Sequence, residues 1–316
     1  MNNIALIMPY YGMLPACLNY FLRSLCGKRM DVLFFSDLEV AQHPDNFKPI
    51  QMTFREFKEL AASKLGVPVR LDSPRRLCDF KPMYGKIFED YLSDYDYWAF
   101  GDCDLVYGNK LNEVLDRGLF SKPDILSFER MFCCGPLCLI KNDKRINNLF
   151  EMADNWRTIV NLPGSMNVNF DEIGCDKFKE FRSGSITLDD CRRVSDNFSS
   201  VVARSKEVKY AYVEAMFQDD LSRGGIVRMG ADGALRFNKN GQELAVYHYV
   251  RAKLHKYFAV KSMPYHGIRG FRITQTGIYN DGWEWAFHSL IGLRRMFVAG
   301  CRSIREKIKN RMVARR

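Results

Sequence analysis

The sequence predicts an α/β domain built on a mixed, mostly parallel sheet flanked by helices. Three observations carry that prediction. Short apolar runs of strand length alternate with helically spaced stretches, three of those runs stop abruptly at polar residues, and no repeat, low-complexity tract or linker divides residues 1–288.

In chain order, Ile4-Ala-Leu-Ile-Met8 is a buried strand ended by Pro9-Tyr10-Tyr11-Gly12. Leu14, Leu18, Phe21, Leu22 and Leu25 then keep helical spacing up to Cys26. Val32-Leu-Phe-Phe35 is a second buried strand, stopping at Ser36-Asp37. Phe54 to Leu65 is a helix closed by Gly66, and Pro82 to Leu92 is another, with Met83, Ile87 and Leu92 on one face. Tyr97-Trp-Ala-Phe100 is a third strand, cut off by Gly101-Asp102. Ligands of open α/β sheets collect beyond the carboxyl ends of strands, where Tyr10, Asp37 and Asp102 stand. After Gly108 the pattern is less regular. Ile125 to Phe128 and Leu137 to Ile140 read as strands, Asp143 to Ile159 as a helix, and Leu162 to Ser200 as a long functional loop. Ile226 to Arg228, Leu235 to Phe237 and Leu244 to Tyr249 suggest short antiparallel strands.

The 316 residues are 47% apolar and 27% charged, which excludes a disordered chain, a collagen and a coiled-coil rod. The formal net charge of +10 invites a polyanion partner, but its distribution matters more than its sum. Residues 289–316 hold nine Lys/Arg against Glu306 alone, a net of +8, which leaves only +2 on residues 1–288. Leu290, Leu293, Phe297, Cys301, Ile304, Ile308 and Met312 fall on one helical face of that tail, with Arg294, Arg295, Arg302, Arg305, Lys309 and Arg316 off the stripe. The pattern predicts a basic amphipathic helix that lies on an anionic membrane surface; the alternative is a helix docked on the domain or on a second copy. A nucleic-acid partner is not expected, because the body has no basic patch. Met1-Asn2-Asn3 lacks the basic start of a secretory signal, and no run of apolar residues is long enough to span a bilayer. With ten scattered Cys of no zinc-ligand spacing, the expectation is plain thiols in a cytoplasmic protein held at the inner face of the membrane.

The sharpest chemical feature is Trp98-Ala-Phe-Gly-Asp102-Cys-Asp104. Two carboxylates one residue apart directly follow a buried aromatic strand. Hard carboxylate oxygens suit Mg²⁺ or Mn²⁺, which share their shell with substrate phosphates. The plain alternative is two solvated turn acids. Lys81, just before Pro82, places a cation beside a helix start, and Asp79 lies two residues earlier; together they make either an anion site or an N-cap with a solvated Lys. P-loop, G-x-S-x-G and H-E-x-x-H signatures are absent.

Leu77-Cys-Asp79-Phe-Lys81-Pro-Met-Tyr-Gly85, followed by Tyr95-Asp-Tyr-Trp98-Ala-Phe-Gly-Asp102-Cys-Asp104, resembles the D-x-D glycosyltransferases of the GT-A (Rossmann-like) fold. It is most similar to a bacterial family of such proteins associated with surface-polysaccharide synthesis, of the capsule or lipopolysaccharide kind. The resemblance spans roughly residues 1–260 and implies a nucleotide-sugar half at about 1–110 and an acceptor half at about 111–260. It further implies a hexosyltransferase-like activity with Mn²⁺ or Mg²⁺ as cofactor, a nucleotide diphosphate-sugar donor, and a glycan or lipid-linked glycan acceptor. On the same ground Asp102 and Asp104 hold the metal, His248 of Ala245-Val-Tyr-His248 is a third ligand, and Lys253 meets the diphosphate. Asp79 and Lys81 become donor contacts alongside Asp102, and Tyr10, Tyr11 and Asp37, on position alone, hold base and ribose. Asp171 and Glu172, in the long loop, are the preferred acids for activating or orienting the acceptor hydroxyl, ahead of Asp219 and Asp220 in an expected helix. The same metal and diphosphate geometry would serve a nucleotidyl- or phosphotransferase, and a non-catalytic, membrane-peripheral nucleotide-sugar-binding protein is the alternative of another class.

Overall fold

The computed structural model describes residues 2–281 except 131, 166, 174–179, 181–182, 188–189, 191–195 and 261–262. The tail of residues 289–316, with its expected basic helix, lies outside the described residues. Among those residues no helix is long and apolar enough to cross a membrane.

Side-chain alternation along the strands sets up the layers. The first strand, β1 (Ile4–Pro9), sends Ala5 and Ile7 to one face of the main sheet and Ile4, Leu6 and Met8 to the other. Next come β2 (Asp31–Ser36), β3 (Phe47–Gln51), β4 (Tyr97–Gly101), β5 (Leu105–Tyr107), β6 (Ile125–Ser127), β7 (Leu137–Lys141) and β8 (Tyr210–Tyr212). The main sheet has seven strands in the order β3-β2-β1-β4-β7-β6-β8. Pairing is parallel from β3 to β4, antiparallel at β4–β7 and β7–β6, and parallel again at β6–β8. Helices Leu18–Leu25 and Lys110–Leu119 cover the Leu6 face. Helix Phe54–Leu65 covers the Ile7 face through Phe57 and Ala61. Thr53 and Glu56 cap its start reciprocally, and Gly66 ends it in the left-handed conformation at φ 66°. The class is therefore mixed α/β with helices on both faces, as the sequence predicts.

The rest of the chain adds β9 (Met216–Phe217), β10 (Ile226–Met229), β11 (Leu235–Phe237), β12 (Glu243–Leu244), β13 (Val246–His248), β14 (Ala259–Val260), β15 (Phe271–Thr274) and β16 (Gly277–Asn280). Six of these form a second sheet in the order β12-β11-β10-β15-β16-β14, antiparallel except at β14–β16. A three-stranded sheet, β5-β13-β9, takes the chain directly out of β4. The topological switch of the main sheet falls at β1, whose neighbours β2 and β4 continue the chain in opposite directions across the sheet. Crevices of open α/β sheets open at such a point.

Several expected elements are cut differently. The helix predicted over Pro82 to Leu92 is a chain of short turns at Leu77–Phe80, Lys81–Met83, Tyr84–Ile87 and Glu89–Tyr91. Pro82 sits inside this run with no N–H to donate, and at Gly85 a Cβ would lie 2.5 Å from the Trp98 indole. That indole is fully buried and donates to Asn147 Oδ1 at 2.7 Å. Likewise, the helix expected over Asp143 to Ile159 is split at Asn148 and again at Ala153–Asn155. Strand β3 gave no apolar signal because it is an edge strand carrying Lys48 and Pro49, a place where proline costs no ladder bond. The helix expected around Asp219 and Asp220 is a turn after β9, where their carboxylates accept the Leu221 and Ser222 amides.

Candidate active site

Strand β4 ends at Gly101, and the Asp102 amide is held by the Pro136 carbonyl at 3.1 Å. Three residues after Asp102, β5 pairs antiparallel with β13 in the register Leu105↔His248, so His248 stands beside Asp104 although far from it in sequence. On the other side of β13, β9 runs parallel with Phe217 opposite Tyr247, which brings Gln218 level with His248. The pairing of three short strands thus delivers a cluster in which one ligand atom each from Asp102, Asp104 and His248 lies within 4.8 Å of the others.

Charge is concentrated here. His248 Nε2 is 3.4 Å from Asp104 Oδ1, and Lys253 Nζ sits on Asp104 Oδ2. Burial alone would raise the Asp104 carboxyl, but hydrogen bonding and charge from His248 and Lys253 outweigh it and hold the group well below the usual carboxylate range. Lys81, with its side chain 7% exposed, donates to Asp102 Oδ1 at 2.8 Å and to the Gly135 carbonyl at 2.8 Å, and lies 3.3 Å from Asp171 Oδ2. Burial would depress its ammonium, yet Asp102 and Asp171 push it well above the ordinary lysine value. Each carboxylate of the pair therefore already carries one internal cation. Two hard carboxylates and an imidazole, with Asp104 ionised, are a donor set that fits Mn²⁺ or Mg²⁺.

Asp171 and Glu172 lie behind Lys81. Burial, with the Asp102 and Asp79 charges added, pushes Asp171 up to about 6 against the lowering influence of Lys81. Burial and the Asp171 charge push Glu172 up to about 7, while the Gly135 amide donates to its Oε1 at 2.9 Å. Gly135 has to be glycine: a Cβ there would fall 2.6 Å from Glu172 Cγ and 2.7 Å from Asp171 Oδ2. A stability effect follows. The folded chain holds the Glu172 proton more tightly than an unfolded one, so stability is lost as pH rises from the ordinary value of 4.5 through about 7. Glu172→Gln should abolish that loss, melting above the wild type at pH 8 by roughly 3 kcal/mol and close to it at pH 4.5. Parallel thermal melts across that range check it, and a wild type no less stable at pH 8 than its variant overturns it.

Two clefts meet at this cluster. One, of about 500 Å³, runs from Tyr10 and Tyr11 past Arg75 to Asp102, Asp104 and Lys253. The other, of about 270 Å³, is lined by Asn167, Asn169, Asp171, Glu172 and Gln218. Cys78, Lys81, Asp102, His248 and Val250 belong to both walls. The first is flanked by cations and aromatic rings, the second by carboxylates and carboxamides. Tyr11 presents a buried hydroxyl with no partner among the described residues, whereas the Tyr10 hydroxyl donates to the Met13 carbonyl at 3.0 Å.

Of the residues singled out in the sequence, Asp102, Asp104, His248, Lys253, Lys81, Asp171, Glu172, Tyr10 and Tyr11 converge on these clefts. Two do not. Asp37 is exposed after β2 and is absent from both linings. Asp79 is fully buried: it pairs with Arg76 at 2.9 Å and accepts the Val168 and Phe170 amides, so it clips the 167–171 segment into place instead of meeting a donor. Arg76 is saturated from the other side by the Ile159 and Leu162 carbonyls. Sequence reasoning missed Gln218, whose Nε2 lies 3.0 Å from His248 Nδ1, and the carboxamides of Asn167 and Asn169. No local pattern marks them. Among the described residues, Cys17, Cys26, Cys78, Cys103, Cys133, Cys134 and Cys138 form no disulfide.

A family model described as "Family of unknown function (DUF6625)" matches residues 6–281. No curated protein matches the chain. Among solved structures, the crystal structure of the glycosyltransferase GlyE in Streptococcus pneumoniae TIGR4 is similar with a TM-score of 0.34 and 10% identity, over 68% of this chain and 46% of that one. The chain therefore spans less than half the length of that protein.

Proposed function

The chain belongs to this family of unknown function (DUF6625), and from that premise we propose that it is a metal-dependent glycosyltransferase acting on a nucleotide diphosphate-sugar. The observation that carries the reading is the meeting of two clefts of unlike chemistry at one Asp-Asp-His cluster, which is what transfer between two substrates requires. The D-x-D resemblance of residues 75–110 supports it. The cation-flanked cleft would take the donor, with Tyr10 and Tyr11 beside the nucleotide, and the carboxamide-lined cleft would take the acceptor glycan.

Asp102, Asp104 and His248 would hold Mn²⁺ or Mg²⁺, which when bound supplies positive charge to the donor diphosphate. Lys253, whose side chain is 42% exposed, is free to turn from Asp104 to the diphosphate and to stabilise the charge left on it as the sugar–oxygen bond breaks. Lys81 is fixed by three partners and keeps Asp102 and Asp171 in place. The acceptor hydroxyl oxygen bonds to the anomeric carbon, the bond from that carbon to the phosphate oxygen breaks, and the hydroxyl proton passes to the Glu172 or Asp171 carboxylate. Glu172, raised to about 7, is matched to that work near neutral pH. The +8 segment at residues 289–316 would bring the enzyme to an anionic leaflet and so to a lipid-linked acceptor in surface-polysaccharide synthesis.

The test is release of nucleoside diphosphate from a panel of UDP-, GDP- and dTDP-sugars. It should appear with Mn²⁺ and disappear with chelator. Consumption of a nucleoside triphosphate with release of pyrophosphate would instead establish a nucleotidyltransferase, and thermal stabilisation by nucleotide sugars without turnover on any acceptor would leave a binding protein.

A further inference from the structure

We infer that Gln218 is a positioning residue for His248, able to serve both tautomers of the imidazole and so to let one side chain act first as a hydrogen-bond donor and then as a metal ligand. The inference rests on reading Asp102, Asp104 and His248 as a metal site. His248 is 5% exposed, and its ring nitrogens face Asp104 Oδ1 at 3.4 Å from Nε2 and Gln218 at 3.0 Å from Nδ1, with Asp102 within 4.8 Å. The Asp104 carboxylate is an acceptor only, so a neutral ring facing it carries its proton on Nε2, and Nδ1 then takes a donor. The Gln218 amide nitrogen stands there. Ligation through Nε2 requires the reverse, with the proton on Nδ1 and an acceptor facing it.

A carboxamide meets both demands. Half a turn about its last side-chain bond, a broad two-fold torsion, exchanges nitrogen for oxygen at the same place. Glutamate in that position could only accept, and lysine could only donate. The parallel pairing of β9 with β13 fixes the distance, because it sets Gln218 level with His248 whichever way the amide faces. Gln218 also lines the cleft that holds Asp171 and Glu172, so its amide sits between the cluster and that cleft.

Gln218→Met keeps length and volume while removing the hydrogen bond to His248 in either orientation of the amide. Mn²⁺ binding, followed by electron paramagnetic resonance without any substrate, should weaken about 10- to 100-fold. The same change introduced into His248→Ala should leave the residual affinity unaltered, because Gln218 acts only through the ring. A loss that persists in the His248→Ala background means a structural role and overturns the inference; so does an unchanged affinity in Gln218→Met. Nitrogen NMR of His248 supplies a second readout. The ring proton should move from Nε2 to Nδ1 when Mg²⁺ is added to the wild-type chain, and an unmoved proton with Mg²⁺ bound overturns the inference alone. Failure of the wild type to bind either ion removes the metal-site reading, and Gln218 falls with it.

Discussion

Asp104→Asn should reduce metal-dependent nucleoside diphosphate release by about 10³-fold or more. Asp104 is the point at which His248 and Lys253 converge, and it is the carboxylate most strongly held in its ionised form. The amide removes the charge without changing the shape. It also points a donor at one of two groups that already donate. Stability should fall as well, because the ionised carboxylate is the form that buried His248 and half-exposed Lys253 hold, and that contribution is present above the ordinary carboxylate range. Turnover, Mn²⁺ affinity and a thermal melt on the same preparation separate these effects. Activity within tenfold of wild type would remove Asp104 from the catalytic machinery.

Lys81→Met should damage the fold as much as the reaction. The ammonium has three oxygen partners on a side chain only 7% exposed, and removing it leaves Asp102 and Asp171 facing each other, with Glu172 adjacent. Breaking a buried ion pair from one side costs about 3–5 kcal/mol, because the desolvated charge that remains has no compensation. The deficit has a signed pH dependence. Without Lys81 the remaining carboxyls take up protons more readily, so the gap to wild type should be widest near pH 8 and narrow toward pH 5. Asp171→Asn in the same chain should recover part of the loss. A gap that is constant with pH would show that packing of the lysine stem, not charge, is responsible.

The strands that build the floor of the site were legible because their burial is two-sided. Ile4–Met8, Val32–Phe35 and Tyr97–Phe100 fill both layers of the main sheet, and a strand apolar on both faces stands out in a sequence. The acidic pair was legible for the same reason, as charge placed directly after such a strand. What escaped depends on side-chain shape and on register. The close approach of Gly85 to Trp98 is a tertiary contact that no periodicity encodes. Asp79, expected as a donor contact, is buried against Arg76 at i−3 and the amides of a distant loop, partners that its local sequence does not announce. Gln218 could not be found from its neighbours at all. Its significance comes from the two-residue strand before it, which places it level with His248.

The register of β5 against β13 has a consequence for how the molecule is made. Asp102 and Asp104 leave the ribosome long before His248 and Lys253, and the cluster closes only when a strand of three residues, Val246–His248, finds Leu105–Tyr107. A divalent ion gripping both strands would act as a cross-link over the intervening chain, and its affinity would add directly to the stability of the join. Metal capture would then report on maturation: a chain truncated before residue 246 would contain the acidic motif yet lack the grip, while a completed chain would be stapled shut by its own cofactor.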